Sequence, residues 1–217
     1  MVLAEEIIQE NKATFLEILE KAVKNREGAN WERLEAKLSS SDFFTAPAST
    51  KYHAAYRGGL CDHSLNVYYN MCSLVKSKHL EEKISEDSIA IVALLHDMSK
   101  INSYILGARN KKVYSDCGSK HDELGKFDWV SEMEYIYVAD EDRFIFGNHE
   151  ETSEFMIRTY IPLTYEESAA ILNHHGGMGW DSCQGNIASK VMAKYPIAAL
   201  LHTADMLSVY IDEKAYE

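Results

Sequence analysis

The residues with the greatest chemical reach are histidines that recur beside, or in step with, acidic side chains. They are His63, the dipeptide His96-Asp97, His149 and His174, followed by Asp205. Imidazole with carboxylate is an ordinary ligand set for zinc, manganese, iron or nickel. His96-Asp97 closes the most apolar stretch of the chain, Ile89-Ala90-Ile91-Val92-Ala93-Leu94-Leu95. A charged carboxylate at the end of a buried helix needs a partner, and a metal ion is one. Each residue alone has a plainer reading. An HD dipeptide is a weak motif. His63 alone is a helix-start histidine bonded to solvent, His149 a first-turn surface residue, and Asp205 a buried side chain bonded to backbone. As an ordered set, each on or at the end of an expected helix, these plain readings weaken together.

Rigid elements must hold such donors. Apolar spacing predicts a first helix from about Leu3 to Lys24, with Ile8, Phe15, Leu19 and Ala22 on one stripe and Gly28 as its stop. A short helix is expected over Trp31 to Leu38, then a loop over Ser39 to Ala54 around Pro47. A third helix, from near Cys61 to about Lys78, carries His63 near its start. The fourth runs from about Glu86 to Met98, with Ser85 as its N-cap. It is apolar all round and therefore central. Tyr135-Ile136-Tyr137-Val138 and Arg143-Phe144-Ile145-Phe146 flank an acidic segment, Ala139 to Asp142, and together predict a hairpin. Three more helices follow. Asn148 and Glu151 form a capping box for the first, and Thr164 and Glu167 one for the second. The second stops at Asn173-His174-His175, where Gly176-Gly177 breaks it. Pro196 suits the first turn of the last helix, which continues through Leu200, Ala204 and Leu207.

The 217 residues carry a net charge of −12. Duplex nucleic acid is bound through phosphate neutralisation by Lys and Arg, so an acidic surface argues against long duplex. A short single strand, or a nucleotide in one locally positive pocket, is compatible with it. Cys61, Cys72, Cys117 and Cys183 show no C-x-x-C spacing, so a reduced cytoplasmic protein is expected. No apolar run is long enough for a membrane span, and the N-terminal residues do not read as an export signal.

The order His63, His96-Asp97, His149, His174, Asp205 resembles the HD-domain superfamily of metal-dependent phosphohydrolases. The likeness runs from about Lys51 to Tyr210, through G-G-L-x-x-H-S, A-L-L-H-D-M-S-K, G-N-H-E, N-H-H-G-G and H-T-A-D. The first two motifs look closest to bacterial HD-domain exoribonucleases. Their OB-type domain is not expected here, because residues 1–50 read as helices packed on the core, ahead of an HD domain over 51–217. The resemblance implies an all-α fold, an HD-type helical bundle of about eight helices with a small inserted β-hairpin. It implies one metal held by His63, His96, Asp97 and Asp205, and a second held by His149, His174 and a bridging Asp97. Manganese, iron, nickel, zinc or magnesium would suit. His174 is favoured over His175 as ligand by the family pattern, though counting alone leaves the two open. Asp97, Lys100 and His175 would then be catalytic. Lys100 would contact phosphate, and His175 would touch substrate, act as general acid or bind a further metal.

The expected function is hydrolysis of a nucleotide or other small phosphate ester through a metal-activated hydroxide. Alternatives are a di-iron oxygenase of the inositol-oxygenase type and a non-catalytic metal- or nucleotide-binding module. Arg57 is a candidate substrate anchor before Gly58-Gly59, with a plain exposed arginine as the simpler reading. Asp62 either orients His63 or is a solvated helix-start charge. His53, His79 and His121 read as surface residues, and His202, three before Asp205, as core, surface or support to the site. Tyr104, Tyr114, Tyr135 and Tyr137 either stack on a base or pack, and Asp116, Asp122 and Glu123 read as solvated loop charges.

Overall fold

The computed structural model describes residues 3–176 and 182–213. The helices are α1 (Glu5–Val23), α2 (Trp31–Ser40), α3 (Gly59–Ser77), α4 (Glu86–Leu95), α5 (His149–Arg158), α6 (Tyr165–Leu172), α7 (Ser182–Lys194) and α8 (Pro196–Leu207). Between α4 and α5 lie β1 (Tyr104–Tyr114), β2 (Lys120–Asp122) and β3 (Gly125–Tyr137). The molecule is thus predominantly helical with a small β insertion. No described helix is long and apolar enough to cross a membrane.

The apolar run of α4 explains its place. Ile89 through Leu95 are all buried, and α4 packs against α1, α3 and α6. Phe15 and Leu19 of α1 and Leu34 and Leu38 of α2 are also fully buried and share one apolar cluster with α4. The first two helices are therefore part of the same core as the rest. Caps fix the helix starts. Ser85 accepts from the Ser88 amide, and the boxes Asn148/Glu151 and Thr164/Glu167 both form. Glu167 does more than cap. Fully buried, it accepts from Arg26 Nη1 at 2.9 Å and from Ser88 Oγ at 2.8 Å, tying α6 to the turn after α1 and to α4.

The sequence places the hairpin wrongly. Tyr135 to Tyr137 pair with Tyr104 to Leu106, and the sheet has three antiparallel strands in the order β1-β3-β2. Residues Asp140–Asp142 form a 3-10 turn, and Arg143 to Phe146 form a strap outside the sheet. The physical reason is a competing apolar partner. Phe144 and Phe146 stack on Phe155 of α5, with centroids 6.0 and 4.1 Å away. Between the second and the last of the three helices expected after the insertion, the structure adds one that the sequence reading lacks, α7. Gly177 and the four residues after it lie outside the described residues.

Gly58 and Gly59 have separate reasons. Gly58 sits before α3 with φ of 85°, a left-handed conformation that favours glycine. A Cβ on Gly59 would collide with the carbonyl oxygen of Ala54. The pair lets the 48–58 loop press against the start of α3, which brings His53 to within 5.0 Å of His63, ring to ring.

Candidate metal centre

Donors from four parts of the fold converge beneath α4. His63 comes from the second turn of α3, His96 caps the C-terminus of α4, Asp97 follows it, and Asp205 projects from α8. All four are buried. His63 Nε2 lies 3.3 Å from His96 Nε2, 3.3 Å from Asp205 Oδ1 and 3.7 Å from Asp97 Oδ2. His96 Nε2 lies 3.4 Å from Asp97 Oδ2. Ligand atoms about 2.1 Å from one ion stand roughly 3.0–3.4 Å apart in octahedral or tetrahedral arrangements. Three of the four spacings fall in that range, and the fourth, 3.7 Å, lies just beyond it.

The hydrogen bonds behind the donors fix their protonation. A backbone carbonyl only accepts, so His96 Nδ1 must donate to Ala93 O at 2.8 Å, and His174 Nδ1 to Ile171 O at 2.7 Å. In the neutral ring, each Nε2 is then left as a lone pair aimed at the site. His174 Nε2 lies 3.8 Å from Asp97 Oδ1, and both atoms are buried without a hydrogen-bond partner among the described residues. Such orphans are rare and costly unless something completes them. A cation shared by Asp97 and His174 would do so.

His149, at the first turn of α5, adds a further orphaned Nε2. His149, His174 and His175 form a group with donor atoms close enough to share an ion, as do His63, His96 and Asp97. Glu150, only 2% exposed, holds this group from behind. One carboxylate oxygen is 3.1 Å from His149 Nδ1 and the other 3.1 Å from His175 Nδ1. It therefore orients two imidazoles at once. Glu150→Gln should preserve the fold and weaken by about 10-fold the affinity for an ion at the His149, His174 and His175 group, as loss of an outer carboxylate does. Metal titration followed by elemental analysis reads this, and an affinity equal to wild type contradicts the role.

His63 has its own carboxylate. Its Nδ1 lies 2.8 Å from Oε1 of Glu213, which follows the π-helical turn Ser208–Asp212 after α8. Burial opposes a charge on His63, but Glu213 and Asp205 outweigh it and raise its pKa to about 10. Burial likewise opposes the charge of Asp97, yet Lys100 and His96 hold that carboxyl well below the usual range. In the protein without metal, a proton on His63 thus occupies the place of positive charge among these carboxylates. His174 is pushed the other way, to about 3, by burial and by His96, and burial takes His53 to about 4. Burial also lowers His149, whereas His175 is raised, because Glu150 outweighs burial there.

These directions give a pH dependence for chelator-treated protein. A histidine depressed in the fold stabilises it above its unfolded value near 6.5, and that contribution is lost as pH falls. His174 alone should cost on the order of 2 kcal/mol at pH 5, and His53 adds to it. The raised His63 contributes fully below about 6.5 and loses its contribution as pH climbs towards 10, so between pH 7 and 5 it gains under about 1 kcal/mol, less than His174 and His53 together lose. The urea midpoint of the metal-free protein should therefore drop from pH 7 to pH 5. A flat profile would contradict the burial of neutral imidazoles.

Lys100 sits on the 3-10 turn Met98–Lys100, its Nζ 2.7 Å from Asp97 Oδ2. Ser99 and Ser153, hydroxyls 2.9 Å apart, dock that turn on α5. Outside the donors lies a cavity of about 380 Å³, with His53, Lys100, His149 and His175 in its wall. The site-residue set expected from sequence is brought together with one exception. Arg57 is exposed, is ion-paired with Glu5 and does not line the cavity, because α1 offers a carboxylate at the protein surface. Asp62 does not support His63 either. It accepts from Asn11 and from Tyr56. His202 donates from Nδ1 to the His174 carbonyl at 2.7 Å and so braces that turn. His53 is a correction in the other direction: it faces the site, its Nε2 buried, whereas His79 and His121 are exposed as expected. Tyr104 and Tyr137 line the cavity, while Tyr114 and Tyr135 do not.

Glu213, Glu150 and Arg143 were not legible as site residues. Only Glu150 carried a signal, its position directly after His149.

No known family model, curated protein or solved structure matches this chain. The fold and the donors by themselves define a mostly helical protein with His, Asp and Glu clusters able to hold a metal ion.

Proposed function

We propose that the protein is a metal-dependent phosphohydrolase of the HD type, acting on a nucleotide or other small phosphate ester. The observation that carries this is the convergence of His63, His96, Asp97 and Asp205 at ligand spacing, with Lys100 beside them in the wall of an adjoining cavity. His149, His174 and Asp97 Oδ1, each with an unsatisfied buried atom, fit a second ion next to the first. Bound divalent cations supply Lewis acidity towards phosphoryl oxygens and make water acidic enough to ionise near neutral pH.

The chain's own residues supply the rest. Asp97 faces both donor groups, one oxygen towards each, and would be the residue to hold both ions. The Lys100 ammonium is held at the rim by Asp97, where it meets developing negative charge on a phosphoryl group. His175 faces the same cavity with its Nδ1 held by Glu150, positioned to pass a proton to the leaving oxygen. Carbonyls behind His96 and His174 and carboxylates behind His63, His149 and His175 keep the rings from turning.

Elemental analysis of protein purified without chelator, paired with a screen of phosphomonoesters, cyclic nucleotides and short oligonucleotides, tests the reading. One to two metals per chain and release of phosphate or nucleotide are expected, as in two-metal hydrolases. Protein that refuses manganese, iron, nickel and zinc alike refutes it. Iron content with oxygen uptake and no phosphate release would return the oxygenase reading in its place.

A further inference from the structure

The cavity extends beyond the metal centre to the strap that follows β3. Arg143, Phe144 and Ile145 of that strap line it, opposite Lys100, His149 and His175. Among the described residues no Asp or Glu lines it, in a chain of net charge −12. Its charged lining residues are Lys100 and Arg143, from separate elements, and Ser49, Ser99, Ser103, Thr152 and Tyr104 add hydroxyls. The carboxylates that pair these two cations, Asp97 with Lys100 and Asp140 with Arg143, stand outside the lining, so the cations rather than the carboxylates face the cavity.

Arg143 is held in place. Its guanidinium stacks over the Tyr137 ring, 5.0 Å from the centroid, and one Nη donates to Asp140. Its Nε is buried and has no acceptor among the described residues. A buried guanidinium N–H with nothing to donate to is costly, and an anion arriving in the cavity offers an acceptor. Lys100, by contrast, is engaged with Asp97 at the metal end. The cavity therefore has a cation at the metal end and a second on the strap, with the apolar faces of Tyr137 and Phe144 beside the second.

We propose that this cavity binds a ligand carrying two phosphate groups, one at the metal end beside Lys100 and one at Arg143, so that Arg143 selects bisphosphorylated nucleotides over simple monoesters. The proposal rests on the phosphohydrolase reading for the first phosphate and goes beyond it for the second. The two phosphates can be joined as an anhydride or through a sugar, and ADP and adenosine 3′,5′-bisphosphate distinguish these.

Calorimetric titration of manganese-loaded protein with AMP, ADP and adenosine 3′,5′-bisphosphate tests it, with metal content measured on each sample. At least one bisphosphorylated ligand should bind about 10- to 100-fold more tightly than AMP, the worth of one charge-assisted hydrogen-bonded contact. Arg143→Gln should erase that advantage while AMP affinity and metal content stay the same. Asp140→Asn changes a side chain that is 78% exposed, so the fold should tolerate it. Freed of that carboxylate, Arg143 should bind the second phosphate more tightly, which keeps the test valid if Arg143→Gln fails to fold. Equal affinities for AMP and both bisphosphates overturn the proposal, as does an Arg143→Gln loss shared equally by AMP. Failure of the underlying reading looks different. No phosphate ester would then be turned over, yet the Arg143-dependent preference would still be read by binding alone.

Discussion

Asp97→Asn should empty the metal centre and lower phosphate-ester turnover by more than the ~10²-fold associated with residues behind a ligand. Asn keeps the shape of Asp97 and removes its charge. In the wild-type protein, Asp97 Oδ2 faces His63, His96 and Lys100, and Oδ1 faces His174. Among the described residues no other side chain is placed with one carboxylate oxygen towards each donor group. Neutralising it takes a ligand from each position and leaves the Lys100 ammonium without its carboxylate. His149→Ala is the matched control, since it touches only the second group and should leave one metal bound. Circular dichroism separates site loss from unfolding. Full metal content in Asp97→Asn would refute the bridging role. Wild-type metal content and activity in His149→Ala would reduce the site to a single ion.

Lys100→Ala should leave metal content intact and reduce turnover by roughly 10²-fold, the usual cost of removing one charge donor from a transition state. The ion pair with Asp97 adds a second expectation. Lys100 is 14% exposed, and its Nζ is the close cationic partner of a carboxylate that is 3% exposed. Without metal, the alanine variant leaves that carboxylate short of positive charge, so the chelated protein should melt earlier than chelated wild type. With metal bound, the cations would supply most of the positive charge that Asp97 faces, and the difference should shrink. A lysine that merely suits a helix end would move neither turnover nor the metal dependence of stability. Unchanged turnover on a verified substrate would end the phosphate-contacting role.

The helical frame was legible because its signals are local. The stripe Ile8, Phe15, Leu19 and Ala22, the Ser85, Asn148 and Thr164 caps, and Pro196 at the start of α8 each act within a turn or so of chain. The metal donors were legible for a different reason. Their side chains are expensive to bury, so each stands out from an apolar neighbourhood. What stayed hidden depends on partners far away in sequence. Glu213 meets His63 across 150 positions, with no pattern to announce it. The hairpin error has the same origin: Tyr135 to Tyr137 look the same whether they pair with the strap or with β1, and Phe155 decided the matter by stacking on Phe144 and Phe146. Arg57 and Arg143 were indistinguishable as letters. A carboxylate on α1 claimed one at the surface, and Tyr137 held the other in the cavity.

The link from His63 to Glu213 also sets a timetable for a chain being made. Synthesis exposes the N-terminal side first. His63 and His96-Asp97 leave the ribosome while Asp205 and Glu213 are still to be translated. Until they arrive, His63 lacks both the carboxylate on its Nδ1 and the one facing its Nε2. On the proposed metal reading, an ion held by the early donors alone would meet an incomplete shell and would exchange freely with its surroundings. A complete shell would wait for the π-helical turn Ser208–Asp212, which places Glu213 against His63. The ion would thereby be committed late, after the donors from both ends of the chain are in place.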